Sequence, residues 1–322
     1  MAARPIVVVG SINLDIVTRV ERIPAPGETV IGGDVQQFEG GKGANQAVGV
    51  ARLGHSVHLV GRVGDDDAGR RLLEALRRAN VNVAGVMTTR GVPSGTALIA
   101  TDRAGENSIV VSPGANGRLQ PSDIERHAAR VRSAALVMLQ LEVPLETVEC
   151  AIGIAHRAGV PVMLDPAPAR SLSRSLLRRV TWLTPNETEA AHLAGMAHRG
   201  GEPTSRATAR ALARTLRDRG SRHIIVTLGR HGACIASGDA DLSWVSPFRV
   251  RAVDSTAAGD AFNAGLAVAL AAGQPLVDAA RFASAVAAVS VTRAGAQPSM
   301  PGSRAVAHVL GTPRRSRLSA DS

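Results

Sequence analysis

Asp254-Ser255-Thr256-Ala257-Ala258-Gly259-Asp260-Ala261-Phe262-Asn263-Ala264-Gly265 places a carboxylate inside a small-residue turn that leads into an apolar helical run. The first turn of a helix leaves backbone N–H groups unpaired and carries about half a positive charge, so it holds phosphate oxygens well. Ala257, Ala258 and Gly259 are too small to keep a polyphosphate away from those amides. Asp260 is the odd member, because a carboxylate in an anion-binding turn repels the ligand that the turn attracts. Either it caps the helix, a contribution of about 1 kcal/mol, or it acts on what the turn holds. The segment alone leaves both readings open.

A second glycine turn stands far upstream. Gly40-Gly41-Lys42-Gly43-Ala44-Asn45 holds the single lysine of a chain with 37 basic residues. Everywhere else arginine serves, so a lone lysine points to a task for a compact ammonium rather than a planar fork. The three glycines are expected to let backbone come close to a ligand before a helix opens with Asn45 and Gln46 in its first turn. Neither turn matches Gly-x-x-x-x-Gly-Lys-Ser/Thr or a dinucleotide fingerprint. Any nucleotide is therefore held by another scaffold.

Between these turns, short β-branched runs alternate with helical patterns. Strands are predicted at residues 6–9, 57–60, 136–139, 160–164, 182–184 and 223–227, and helices at 43–53, 68–79, 121–132, 145–158, 187–194 and 205–219. That alternation predicts an α/β fold, a doubly wound and mostly parallel sheet flanked by helices. Residues 16–38 and 94–111 lack a helical period and are rich in β-formers. They read as two hairpins forming a small β-sheet lid, or as an edge extension of the main sheet. One α/β domain is expected over 1–311, with a disordered polar tail at 312–322.

Composition narrows the function. Aromatic residues make up 2% of the chain and tyrosine is absent, which removes the stacking platforms that bind single-stranded nucleic acid. The net charge of +10 is spread singly and in pairs over amphipathic stretches, so neither a nucleic acid nor a membrane partner is expected. Cys150 and Cys234 sit in apolar contexts without metal-ligand spacing and read as buried free thiols of a reducing compartment. The first apolar run is short and soon meets Asp15, as a first strand does and a signal peptide does not. A soluble cytoplasmic protein is the expectation.

Other candidate residues fall at strand ends. Asn13 and Asp15, two apart after the first strand, point the same way in extended backbone and suit vicinal hydroxyls, one donating and one accepting; an Asx turn accounts for either alone. Glu142 ends the strand, read here as extending over 136–141, and can take another hydroxyl or stand in solvent. Asn186 and Glu189 have capping-box spacing, and the same spot can hold a magnesium-bound phosphate through water. Thr227-Leu228-Gly229-Arg230-His231-Gly232 enters a glycine turn suited to a flat base or ribose edge.

Together these segments resemble the phosphofructokinase-B type of carbohydrate kinases, from Gly10-Ser11-Ile12-Asn13-Leu14-Asp15 to Gly295-Ala296-Gln297-Pro298-Ser299. Gln140-Leu141-Glu142 and Asp165-Pro166-Ala167-Pro168-Ala169 narrow the likeness toward the pentose-specific branch. The resemblance implies ATP-dependent phosphorylation of D-ribose at O5. Asp260 is then the catalytic base and the amides of Ala257, Ala258 and Gly259 the anion hole. Asn13, Asp15, Gly41, Lys42, Asn45 and Glu142, with Asp260, hold the sugar, while Asn186, Thr227, Gly229, Gly232, Gly259 and Ser284 serve ATP. Glu189 serves magnesium through water. A monovalent cation, usually potassium, maps to Asp254, Thr256, Ser290, Arg293, Gly295 and Ser299. Ser284 stands where such kinases often have Asn or His, which opens the choice between ATP and GTP. A homodimer through the lid is implied. Fructose, deoxyribose, a ketodeoxy sugar acid or a nucleoside are the alternative substrates.

Overall fold

A computed structural model describes residues 3–103, 105–196, 204–238 and 242–311. The tail at 312–322 lies outside them. In chain order the strands are β1 (Ile6–Val9), β2 (Asn13–Arg19), β3 (Gln36–Gly40), β4 (Val57–Gly64), β5 (Asn82–Thr89), β6 (Gly95–Thr101), β7 (Asn107–Ser112), β8 (Leu136–Leu139), β9 (Val162–Leu164), β10 (Trp182–Leu183), β11 (His223–Thr227), β12 (Ala233–Ser237) and β13 (Ser243–Val245). The helices are α1 (Lys42–Arg52), α2 (Asp67–Arg78), α3 (Pro121–Arg126), α4 (Ala128–Ser133), α5 (Leu145–Arg157), α6 (Arg174–Leu177), α7 (Glu187–Ala194), α8 (Arg206–Asp218), α9 (Ala258–Ala271), α10 (Leu276–Ser290), α11 (Ala296–Ser299) and α12 (Ser303–Gly311).

Nine strands form the main sheet in the order β13-β12-β11-β10-β9-β8-β1-β4-β5. It is parallel from β11 to β5, and β12 and β13 close one edge antiparallel. β1 and β8 are continuous apolar runs because both faces of their sheet are covered. Val7 and Val9 face the layer built by α3–α8, whereas Ile6 and Val8 face α1, α2, α9 and α10. The alternation of strand side chains thus feeds two cores, one on each face. β1 lies between β4 and β8, so the chain winds outward from it in both directions, and a crevice opens at the carboxyl ends of these strands.

β3, β2, β6 and β7 make a separate four-stranded sheet in that order, two antiparallel hairpins joined by the parallel β2/β6 pair. The edge-extension alternative is thereby excluded. β2 begins at Asn13, three residues earlier than the predicted hairpin, so Asn13 and Asp15 belong to the small sheet and stand at its junction with β1.

Three features depart from expectation. The helix predicted over 121–132 is interrupted at His127 (φ −105°, ψ 12°), giving α3 and α4. α10 carried no readable period because its face contrast is erased by alanine, and β5, β12 and β13 were also unpredicted. Cys234 is buried, but Cys150 is only partly so.

Candidate active site

Glycines bring the site together by letting backbone meet backbone. A Cβ on Gly43 would stand 2.6 Å from Gly10 C and 2.7 Å from Ser11 N; one on Gly41, where φ is +88°, would stand 2.6 Å from Asn13 N. The space these two glycines leave on the Cβ side is filled by the chain's own β1–β2 turn. The effect is to press the start of α1 against the end of β1. Lys42, Asn45 and Gln46 are thereby carried into the crevice.

α9 arrives from the other side. Its N-cap is Ala257, in the left-handed region at φ 58° and ψ 18°, a conformation that costs a non-glycine residue roughly 1 kcal/mol. Asp260 is in the first turn and does not cap the helix, which corrects that alternative. Instead its Oδ2 accepts from Asn45 Nδ2 at 2.9 Å and its Oδ1 from Gln46 Nε2 at 3.1 Å. Ala258 N–H donates to Ser255 O at 3.1 Å and Ala261 N–H to Ala257 O at 2.9 Å. Between them, the amides of Gly259 and Asp260 have no hydrogen-bond partner among the described residues. Ala258, expected among the anion-hole amides, is thus spent within the turn, and an anion is offered the N–H groups of Gly259 and Asp260 and the positive end of a 14-residue helix.

Near Asp260 lies a cluster of polar side chains. Glu142 Oε2 accepts from Ser11 Oγ at 2.5 Å and from Lys42 N at 3.3 Å, so Glu142 is engaged by protein and the freely solvated alternative falls away. Asn13 Oδ1 accepts from Asn116 Nδ2 at 2.7 Å, and Asn116 is itself fixed by Ile12 N–H and Ile12 O. Buried Asp15 is pushed up to about 7 by burial first, then by the charges of Glu142 and Asp260. For Lys42, burial works against the charge, yet the carboxylates of Asp260, Asp165, Glu142 and Glu189 outweigh it and raise the pKa. One ammonium thus stands in the field of four carboxylates.

Asp15 gives a pH signature. Its folded pKa lies above the unfolded value of about 3.9, so between roughly pH 4 and pH 7 the native state binds more protons, and stability from this residue is lost as pH rises. Asp15→Asn should therefore gain on the parent between pH 4 and pH 8, by an amount on the order of 4 kcal/mol. Urea unfolding at several pH values measures the difference; a gap that stays flat over this window refutes the assignment.

The nucleotide candidates converge elsewhere. Thr227, Gly229, Gly232, Gly259 and Ser284 line one cavity of about 720 Å³, which reaches the start of α9. Phe248, Phe262 and Ala288 are among the apolar residues that line it. Asn186 pairs with Thr227 through a parallel bridge and caps α7 in a full capping box with Glu189. Glu189 Oε2 accepts from Asn186 N at 2.8 Å and Oε1 from Asn186 Nδ2 at 2.9 Å; burial raises its pKa. Each oxygen keeps a lone pair for a water, which suits a magnesium ion held at second hand.

Asp254 ties two of the remaining candidates, Thr256 and Gly295, together. Its Oδ1 accepts from Thr256 N and its Oδ2 from Gly295 N, both at 2.8 Å, and despite partial burial these bonds lower its pKa. Arg293 N–H donates to Ser290 O at 3.1 Å on the adjoining turn. Ser290 and Ser299 spend their hydroxyl hydrogens on Ala287 O and Ala296 O. The donor set is carboxylate, hydroxyl and carbonyl oxygen, which fits a hard monovalent cation.

Sequence reading missed Asn116, Gln140 and the parts played by Gln46 and Asp165. Gln140 stands two residues before Glu142 and Asp165 opens the run at 165–169, so adjacency is their signal; Asn116 follows Ala115 in a short 3-10 turn and carries none.

A buried carboxylate beside a cluster of polar side chains, with unpaired helix amides next to it and a cavity of about 720 Å³ reaching the same helix start, is the arrangement of a small-molecule kinase. The chain belongs to the pfkB family carbohydrate kinases, which it matches over residues 3–302. It is 41% identical over 304 residues to the ribokinase of Schizosaccharomyces pombe, covering 92% of this chain and 94% of that protein. To the deoxyribokinase of Salmonella typhi it is 38% identical over 297 residues, covering 92% and 95%. The structure of Arabidopsis thaliana ribokinase complexed with ribose and ATP has a TM-score of 0.87 at 34% identity, covering 97% of this chain and 100% of that one.

Proposed function

We propose that this protein transfers the γ-phosphoryl group of ATP to O5 of D-ribose, giving D-ribose 5-phosphate and ADP. The observation that carries the reading is the position of Asp260, beside two unpaired amides of α9 and near the polar cluster of Asn13, Asp15 and Glu142. Asp260 accepts the O5 proton as O5 bonds to the γ-phosphorus and the bond to the ADP oxygen breaks. The amides of Gly259 and Asp260 receive the equatorial oxygens, so charge that develops in transfer meets donors already in place. Asn13, Asp15, Asn45 and Glu142 orient the sugar by its remaining hydroxyls, and Lys42 keeps the crowded carboxylates compatible with an arriving polyanion.

Magnesium, held through water by Glu189, would neutralise phosphate charge; a potassium ion among Asp254, Thr256, Ser290, Arg293, Gly295 and Ser299 would reinforce the positive potential of the anion-binding turn. Ser284, offering one ambivalent hydroxyl to the base, supports acceptance of GTP beside ATP. On the small sheet, Leu98, Ile109, Val110 and Val111 are exposed. Leu98 and Val110, paired across β6 and β7, share one face, with Ile109 and Val111 on the other; these exposed apolar side chains support a homodimer, for which light scattering should give twice the chain mass. Where Cys150 and Cys234 remain thiols, a cytoplasmic location follows.

An ADP-release assay with ribose, 2-deoxyribose, fructose, adenosine and a ketodeoxy sugar acid, with and without potassium and magnesium, tests the reading. Ribose should give the highest kcat/KM and both cations should raise the rate; a higher value for any other acceptor overturns the substrate assignment.

A further inference from the structure

Gln46 has been given no part in binding or chemistry, yet it is 1% exposed and all of its amide is spoken for. Nε2 donates to Asp260 Oδ1 at 3.1 Å and to Asp165 Oδ2 at 2.9 Å, while Oε1 accepts from Gln140 Nε2 at 2.6 Å. A primary amide has two hydrogens, and here both go to carboxylates. Gln140, fully buried at the end of β8, donates to the oxygen and so fixes which end of the Gln46 amide faces Asp260. Asn45 Nδ2 holds the other oxygen of the same carboxylate at 2.9 Å.

A carboxylate held at one oxygen can still turn about its Cβ–Cγ bond, a broad and soft torsion. Held at both oxygens by neighbouring residues of one rigid helix, it cannot. Each oxygen keeps a lone pair, so the clamp fixes where those lone pairs point without consuming them. We propose that Gln46 is a positioning residue for phosphoryl transfer: its amide, braced by Gln140 and Asp165, holds the Asp260 carboxylate in the orientation from which it takes the sugar proton. The proposal rests on Asp260 being the base. The competing account is that Gln46 merely satisfies the buried polar groups of Asp165 and Gln140.

The test is a double-mutant cycle on kcat, with ribose KM and thermal melting recorded alongside. Gln46→Met, close in volume, should lower kcat by about 10- to 100-fold, since a displaced reacting group costs that much, with ribose KM within about threefold of the parent. In an Asp260→Asn background the same change should lower kcat by less than about twofold, because the group it aims is already disabled. Gln46→Glu keeps the side-chain shape and guards against loss of folding. It should be slow at pH 8 and recover as pH falls, when the introduced carboxyl regains a hydrogen to donate. Equal losses from Gln46→Met in both backgrounds, or parental kcat in both Gln46 variants, overturn the proposal. Full activity of Asp260→Asn alone would instead remove the underlying assignment of the base, and the inference with it.

Discussion

Asp260→Asn should lower kcat by at least about 100-fold, the range found when a positioned general base is removed, with ribose KM changing by less than about threefold. Asparagine keeps the shape of the side chain, and the unpaired amides of Gly259 and Asp260 belong to the backbone, so both the phosphate cradle and the sugar pocket persist. What is lost is the acceptor for the hydroxyl proton. A secondary effect adds to this: Asn45 Nδ2 and Gln46 Nε2 both donate to the native carboxylate, and an amide can accept at one end only. Either donor must turn away, but neither is the group that holds phosphate. Steady-state ADP release with ribose titrated at saturating ATP separates kcat from KM. Were kcat to stay within about fivefold of the parent, Asp260 would be an anchor of the fold and the proton would leave by another route.

Lys42→Met is expected to be at least as damaging, and through a different route. Burial disfavours the ammonium, and the combined field of Asp260, Asp165, Glu142 and Glu189 outweighs that burial. Deleting one partner of such a set leaves the others uncompensated at a cost of about 3–5 kcal/mol, equivalent to roughly 150- to 5,000-fold in kcat/KM if it falls on the transition state. The carboxylates then either take up protons, which disables the base, or repel the incoming phosphates. Loss in kcat/KM for ATP should therefore accompany the loss for ribose. Lys42→Arg should recover less than about a tenth of the parental value, because a planar guanidinium does not occupy the place of a compact ammonium. The lysine would lose its assigned role if Lys42→Met matched the parent in kcat/KM for both substrates.

Much of the scaffold is legible before any coordinates. β1, β8 and β11 fall where their apolar runs end, and α7 begins at the Asn186 capping box. These are local signals, a buried strand's unbroken hydrophobicity and a cap's hydrogen-bonding residues, and they operate over a few positions. α10 escapes because alanine is good for a helix and for close packing alike, so it marks no face. The break at His127 escapes because residues 121–132 carry helix-compatible residues on both sides of it.

Candidate residues divide in the same way. Asp260 and Lys42 announce themselves by being chemically out of place in their neighbourhoods, and Glu189 by its capping-box spacing from Asn186. Gln46, Gln140 and Asn116 do not, since a buried amide means nothing until its partners are known, and here those partners lie 94 to 215 positions away for Gln46, Asn45 and Gln140.

From its residues alone, then, the chain specifies alternating strands and helices, an anion-ready helix start at 257–260, and the one lysine placed in a glycine turn, because composition and short-range spacing suffice for each. Tertiary structure alone decides that Asp260 serves as no cap, that the glycines of the upstream turn make room for the protein's own backbone, and that a single ammonium must balance four carboxylates. Those outcomes depend on which distant segments share one crevice. Electrostatic fields and hydrogen bonds act through space over a few ångströms, whatever the separation along the chain.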